Sequence, residues 1–118
     1  MGITLHARVE ILQPATEYSS ESWLHVSTWR LQKDYALMLW LSEHAKREWP
    51  DDFDDFSDSR FCEGRSHIDA ERLLAVEPEE WARLNCDSTI WRSLLASLAV
   101  WSPDTVDERP CRVLFFER

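Results

Sequence analysis

The stretch Ile3-Thr-Leu-His-Ala-Arg-Val-Glu-Ile11 decides the fold. Ile3, Leu5, Ala7, Val9 and Ile11 alternate with Thr4, His6, Arg8 and Glu10. Successive side chains of a strand point to opposite faces. A period of two over this length therefore predicts a half-buried strand over 3–11, its apolar set toward a core and its polar set toward water. A polar stretch with Pro14 and several serines follows and reads as a loop. Residues 23–31, Trp-Leu-His-Val-Ser-Thr-Trp-Arg-Leu, are of types that suit a pleated surface. They predict a second strand, paired with the first as an antiparallel hairpin. At the far end Cys111-Arg-Val-Leu-Phe-Phe-Glu117 predicts a strand over 111–117, with Val113 and Phe115 on one face and Leu114 and Phe116 on the other. This strand is expected to pair with the first.

Helical patterning fills the interval. Leu37, Trp40, Leu41 and His44 share one face of a helix predicted over 33–48, which Pro50 ends. Ser66-His-Ile-Asp69 predicts the start of a second helix, with Ser66 as its cap. Glu77-Pro-Glu-Glu-Trp81 places a proline and acids in the first turn of a third. Asp87 or Ser88 caps a fourth, whose apolar stripe is Trp91, Leu94, Leu95, Leu98 and Trp101. The expected architecture is a single α+β domain covering 1–118. It has a small three-stranded antiparallel sheet, an N-terminal hairpin plus the C-terminal strand, with about four helices packed mainly on one face.

Composition narrows the function. The net charge is −9, from 22 acidic and 13 basic residues. Binding nucleic acid through its phosphates, or an anionic membrane, needs clustered Lys and Arg, so this balance points away from both and toward a basic protein partner. Cys62, Cys86 and Cys111 form no Cys-x-x-Cys pair, which indicates neither a zinc ribbon nor a redox dithiol. The opening residues lack the basic and apolar blocks of a secretion signal, and a cytoplasmic, reduced chain is the expectation. The apolar run over 35–41 is too short to cross a bilayer. No cofactor-binding motif is present, and no cofactor is expected.

Pro50-Asp-Asp-Phe-Asp-Asp-Phe-Ser-Asp58 is the densest charge cluster. Asp51, Asp52, Asp54, Asp55 and Asp58 repel one another, so the segment gains little by folding on itself. Phe53 and Phe56 are spaced to serve as aromatic anchors on one side of a helical turn. The seven residues together are the candidate partner-binding set, an imitation of a phosphate backbone aimed at a basic groove. A solvated loop would carry the same charges, and the spacing lacks the Asp-x-Asp-x-Asp-Gly order of a calcium loop. Glu77, Glu79, Glu80, Asp104, Asp107 and Glu108 would extend the negative surface if they fell on one side.

Three other constellations carry chemistry-bearing side chains. His6 and Glu10, with His25 from the neighbouring strand, would form a metal or acid–base site if the hairpin register joined them. The ordinary reading is a solvated sheet face with a salt bridge to Arg8, so neither a metal nor a catalytic residue is expected. His44 and Glu48 read as an i, i+4 pair on a helix flank. Cys62 lies between Arg60 and Arg65, with His67 nearby, a setting that favours thiolate.

The opening Met1-Gly with His6 and Glu10, the later Trp29, Lys33-Asp-Tyr35, Leu37 and Leu41, and the closing Arg112-Val-Leu-Phe-Phe116 have a family-like order. In this order the chain resembles small phage and prophage proteins that begin Met-Gly-Cys-Asp-Ile-His and end in an Arg-x-x-Phe-x-Phe-Asp-Asn-like strand. Ile3 and Thr4 stand where those proteins have Cys and Asp, and Glu117-Arg118 replaces their Asp-Asn end. The resemblance implies a phage or prophage origin. By analogy it implies an inhibitor of host defence, of the anti-CRISPR type, that occupies a basic groove of a host protein.

Overall fold

The computed structural model of the chain describes residues 4–32, 34–53, 62–86, 88–100 and 110–118. The fold is α+β. In chain order its elements are β1 (Leu5–Gln13), β2 (Ser22–Leu31), α1 (Tyr35–His44), β3 (Lys46–Arg47), β4 (Glu63–Asp69), α2 (Ala70–Leu74), α3 (Pro78–Arg83), α4 (Thr89–Val100) and β5 (Cys111–Glu117).

Among the described residues the sheet has five strands, all antiparallel to their neighbours, in the order β2-β1-β5-β4-β3. The expectation of three strands is therefore corrected. The N-terminal hairpin and the pairing of the last strand with the first are present: Leu5 lies opposite Leu31 in β2 and opposite Glu117 in β5. The two additional strands lie on the far side of β5.

Both come from segments expected to be helical. Ser66 does not cap a helix; it lies in β4, opposite Phe115. The helix begins only at Ala70, and Asp69, at its N-cap, makes no side-chain capping bond. The physical reason lies in β5, whose Arg112, Val113, Leu114, Phe115 and Phe116 are all buried. A strand so apolar on both faces sits in the middle of a sheet and needs a ladder on each edge. Polar β4 supplies the second ladder. Gly64 has φ +57, and the register slips between Glu63 and Ser66, so the chain enters β4 through a bulge that glycine adopts without strain.

The helix predicted over 33–48 likewise stops at His44. Asp34 starts it, its carboxylate accepting from the amides of Ala36 and Leu37 at 2.8 and 3.4 Å. Ala45 is extended, and Lys46 and Arg47 pair with His67 and Ser66 as β3. Glu48 then turns the chain with φ 63. His44 and Glu48 thus do not share a helix, and the proposed pair is not formed. The His44 ring instead meets the Arg72 guanidinium at 3.0 Å.

The core lies between the helices and the face of the sheet bearing Leu5, Ala7, Val9, Val113 and Phe115. From the helices it takes Leu37, Trp40, Leu41, Leu73, Trp81, Trp91, Leu94 and Leu98. Aromatic rings form a chain through it. Trp40 meets Trp81 edge-on at 5.0 Å, Trp81 meets Trp91 at 5.2 Å, and Trp91 reaches Phe115 at 6.4 Å. Such contacts add to area burial, but the indole N–H groups of Trp81 and Trp91 find no acceptor among the described residues. Each orphan donor costs about 1–3 kcal/mol, which the surrounding apolar burial must exceed. Ser88 starts α4, its hydroxyl accepting from the Trp91 amide. Asp87, the other capping candidate, and Trp101 lie outside the described residues.

The stripe of α4 makes a graded test. Leu98 is fully buried and Leu95 partly so. Leu98→Ala is expected to lower unfolding free energy by about 2–5 kcal/mol in urea titration, and Leu95→Ala by much less. Equal losses at the two positions would contradict this packing.

Candidate functional site: the outer face and its acidic cover

The other face of the sheet carries His6, Arg8, Glu10 and Leu12 of β1, and Arg112, Leu114 and Phe116 of β5 opposite them. This face is not simply solvated. Leu114 is fully buried, Phe116 is 5% exposed, and Glu10 is 2% exposed where the alternation predicted an open position. The cover comes from the chain between β3 and β4. Trp49 packs edge-on against Phe116 at 5.6 Å, and its indole N–H donates to the Phe115 carbonyl at 3.3 Å. Arg65 lies over the opposite part of that cover, its guanidinium 4.5 Å from the Trp49 ring centre. Phe53 closes on Trp49 at 4.6 Å.

Glu10 is buried because Arg112 is buried beside it. The Arg112 Nε donates to one Glu10 oxygen at 2.8 Å, and the Arg8 Nε donates to the other at 3.1 Å. Arg112 continues outward: its Nη1 donates to Asp52 Oδ1 at 2.7 Å, and its guanidinium lies 3.9 Å from the Trp23 ring centre. The Trp23 indole N–H donates to the second Asp52 oxygen at 3.0 Å. Two arginines and two carboxylates thus form one chain of ion pairs across β1, β5 and the start of the acidic segment. Arg112 Nη2 finds no partner among the described residues.

The hydrogen bond from Arg112 holds the Asp52 carboxyl below its ordinary value of 3.8. Arg112's charge and Trp23's N–H add to this, against the opposing effect of desolvation. His6 is shifted downward, mainly by desolvation, with help from the positive charges of Arg30 and Arg118. It stacks on Phe116 with ring centres 5.0 Å apart and planes 9° from parallel.

The predicted partner-binding residues fare differently. Asp51 is exposed. Asp52 is bound by Arg112 and Trp23, although its side chain keeps 63% exposure. Phe53 is half-buried on Trp49, with Arg8 5.8 Å from its ring centre. Asp54, Asp55, Phe56 and Asp58 lie outside the described residues, as do Asp104, Asp107 and Glu108. Glu77 and Glu79 are exposed at the start of α3, beside Trp40, His44 and Arg72.

His6, Glu10 and His25 do not converge. The register puts His6 opposite Arg30, and Glu10 opposite His25. Both Glu10 oxygens are occupied by arginines, and the His25 ring meets the Thr28 hydroxyl at 2.7 Å. Among the described residues no group of three or more His, Cys, Asp or Glu is placed to hold a metal ion. Cys62 is buried, and Arg65 donates to its carbonyl oxygen. The His67 ring is engaged by the Glu48 carbonyl at 2.7 Å. Burial pushes the Cys111 thiol up to about 11, which makes it a poor nucleophile near neutral pH.

The expected salt bridge to Arg8 is present at Glu10. Reading the sequence by element overlooked Arg112, Trp23 and Trp49. A signal for the first was present. If the last strand pairs with the first, the antiparallel register that opposes Leu5 and Glu117 also opposes Glu10 and Arg112. An arginine alternating with Leu114 and Phe116 then needs an acid across the ladder. No helix among the described residues is long and apolar enough to cross a membrane. Comparison with known proteins finds no match to a family model, to a curated sequence or to a solved structure.

Removing one partner of the buried pair leaves a charge without compensation. Glu10→Gln is expected to cost about 3–5 kcal/mol in denaturant unfolding, while Glu10→Leu combined with Arg112→Met should cost less than either change alone. Additive losses would contradict a coupled pair.

His6 gives a pH test with a defined sign. Its folded pKa lies below the unfolded 6.5, so the unfolded chain takes up the proton first. The stability that His6 contributes is complete above 6.5 and is lost as pH falls through the folded value. His6→Gln should flatten the decline in melting temperature just below pH 6.5; an unchanged slope would contradict it.

Proposed function

We propose that this chain is a small acidic interaction protein that occupies a basic surface of a host protein, in the manner of a phage inhibitor of a nucleic-acid-binding defence effector. The observation that carries this reading is the tether at Asp52. A free acidic loop would lose much conformational entropy on docking. Here the first residues of the segment are already ordered: Asp52 is held by Arg112 and Trp23, and Phe53 by Trp49. Exposed Asp51 stands immediately beside this anchor.

The tether divides the labour within the segment. Asp52 and Phe53 fix it to the sheet. Asp51, together with Asp54, Asp55 and Asp58, supplies the charge that meets the partner, and Phe56 supplies the apolar contact. The net charge of −9 speeds encounter with a basic surface and keeps the protein off nucleic acid itself.

The experiment is a comparison of variants against a partner captured from bacterial lysate, measured by surface plasmon resonance across a salt series. Asp51→Asn with Asp54→Asn and Asp55→Asn should slow association markedly, flatten its salt dependence and leave the melting temperature nearly unchanged. Asp52→Asn should act mainly through a small loss of stability and looser ordering. If the triple variant binds as the parent does, the segment is a solvated loop and the docking reading fails.

A further inference from the structure

The two edges of the sheet are built in opposite ways. At one edge β3 has only two residues, Lys46 and Arg47, both cationic and exposed. A short, charged edge of this kind is how soluble proteins prevent strands from adding to a sheet. At the other edge β2 runs for ten residues, and among the described residues β1 is its sole strand neighbour. It contains no proline, no lysine and a single charged residue, Arg30. Leu24, His25, Thr28 and Arg30 are exposed along it.

We infer that this edge pairs with β2 of a second copy of the chain, antiparallel about a two-fold axis between Val26 and Ser27. The bulge in β2 makes this pairing possible. The register against β1 slips at Val9/Glu10 and leaves Val26 as the extra residue. On the amino-terminal side, Ser22 and Leu24 follow the core-facing positions of β1, while Trp23 and His25 follow the outer ones. On the carboxyl-terminal side, Ser27, Trp29 and Leu31 follow the core-facing positions, while Thr28 and Arg30 follow the outer ones. Val26 packs against the core. Read from either end, the ten residues therefore give the same sequence of faces.

A regular strand cannot pair with itself about a midpoint between two residues, because opposite side chains would then point to different faces. The bulge removes that conflict. In the resulting register Leu24 lies opposite Trp29, Trp23 opposite Arg30, His25 opposite Thr28, and Ser22 opposite Leu31. Glu21, just before the strand, lies opposite Gln32. No like charges meet, an exposed leucine gains an aromatic partner, and a guanidinium sits beside an indole. The sheets of the two copies join into one continuous sheet with every core-facing side chain on the same side.

The test uses the full chain. Sedimentation velocity over a concentration series should show a monomer–dimer equilibrium, and β2 amides should gain hydrogen-exchange protection as concentration rises. Leu24→Lys and Thr28→Lys, each checked for parental circular dichroism, should weaken the dimer at least about tenfold, equivalent to about 1.4 kcal/mol. Mixing Thr28→Lys with His25→Glu should restore it, because the introduced lysine then faces the introduced glutamate across the axis. A parent chain that stays monomeric overturns the inference. So does a dimer that survives both lysine variants, or one in which β2 exchange is insensitive to concentration. A β2 protected only when a different protein is added would assign the edge to a foreign strand and equally overturn it. None of these readouts involves the acidic segment, so the result is independent of the docking reading.

Discussion

Arg112 is the constraint around which the outer half of the molecule is organised. It sits on the central strand, 4% exposed, among Leu114 and Phe116 on the same face. A guanidinium taken out of water is costly unless each charge is met at short range. Glu10 meets it from the next strand, Asp52 from the loop above, and Trp23 covers its flat face. These contacts come from three separate parts of the sequence. The pair is weak evidence for net stability, since apolar residues of similar size often do as well. Its firmer effect is on arrangement: only one register of β1 against β5 places Glu10 beside Arg112, and only one path of the acidic segment brings Asp52 to the same guanidinium.

The same strand explains why the acidic segment lies where it does. With both faces of β5 apolar, helices on one side cannot complete the burial. The chain leaving α1 crosses to the outer face as β3 and turns at Glu48. It lays Trp49 on Phe116 and returns as β4. Residues 50–53, the start of the acidic segment, are therefore part of the cover of the sheet. Their position follows from the need to bury Leu114 and Phe116, which uses Asp52 and Phe53 and leaves Asp51 exposed.

Some of the structure is legible in the sequence and some is not, for physical reasons. The alternation over 3–11 and the doubly apolar 111–117 have one physical reading each: β5 runs over Cys111–Glu117 as expected, and β1 runs over Leu5–Gln13, with Ile3 outside the described residues. The stripe of α4 and the proline-led start of α3 were equally direct. Ser66-His-Ile-Asp69 was misread because a capping box and a short polar strand use the same residue types. What decides between them is the unsatisfied edge of β5, in a distant part of the sequence. The end of α1 was misread for a related reason: nothing local stops the helix at His44, and β4 captures Lys46 and Arg47 from outside. Glu10 looked like a solvated residue because strand periodicity assigns a face, while exposure depends on what later covers that face. The hairpin register, which places His6 opposite Arg30 and away from His25, is set by strand pairing that no residue in β2 announces.

Charge placement connects the two surfaces of the molecule. Arg8, Glu10, Arg112 and Asp52 are neutral as a set, so the excess of −9 falls entirely on residues outside that cluster. Copies of the chain repel one another in most orientations, over a screening distance of roughly 8 Å at physiological ionic strength. β2 adds little to that repulsion, because it carries one cation and no acid along ten residues. An approach along that edge brings together an acid-free stretch of each copy, with Arg30 beside Trp23 rather than beside another charge. The acidic excess thus disfavours meetings of two copies that bring carboxylates together and leaves the β2 edge, free of acids, compatible with the pairing inferred for it.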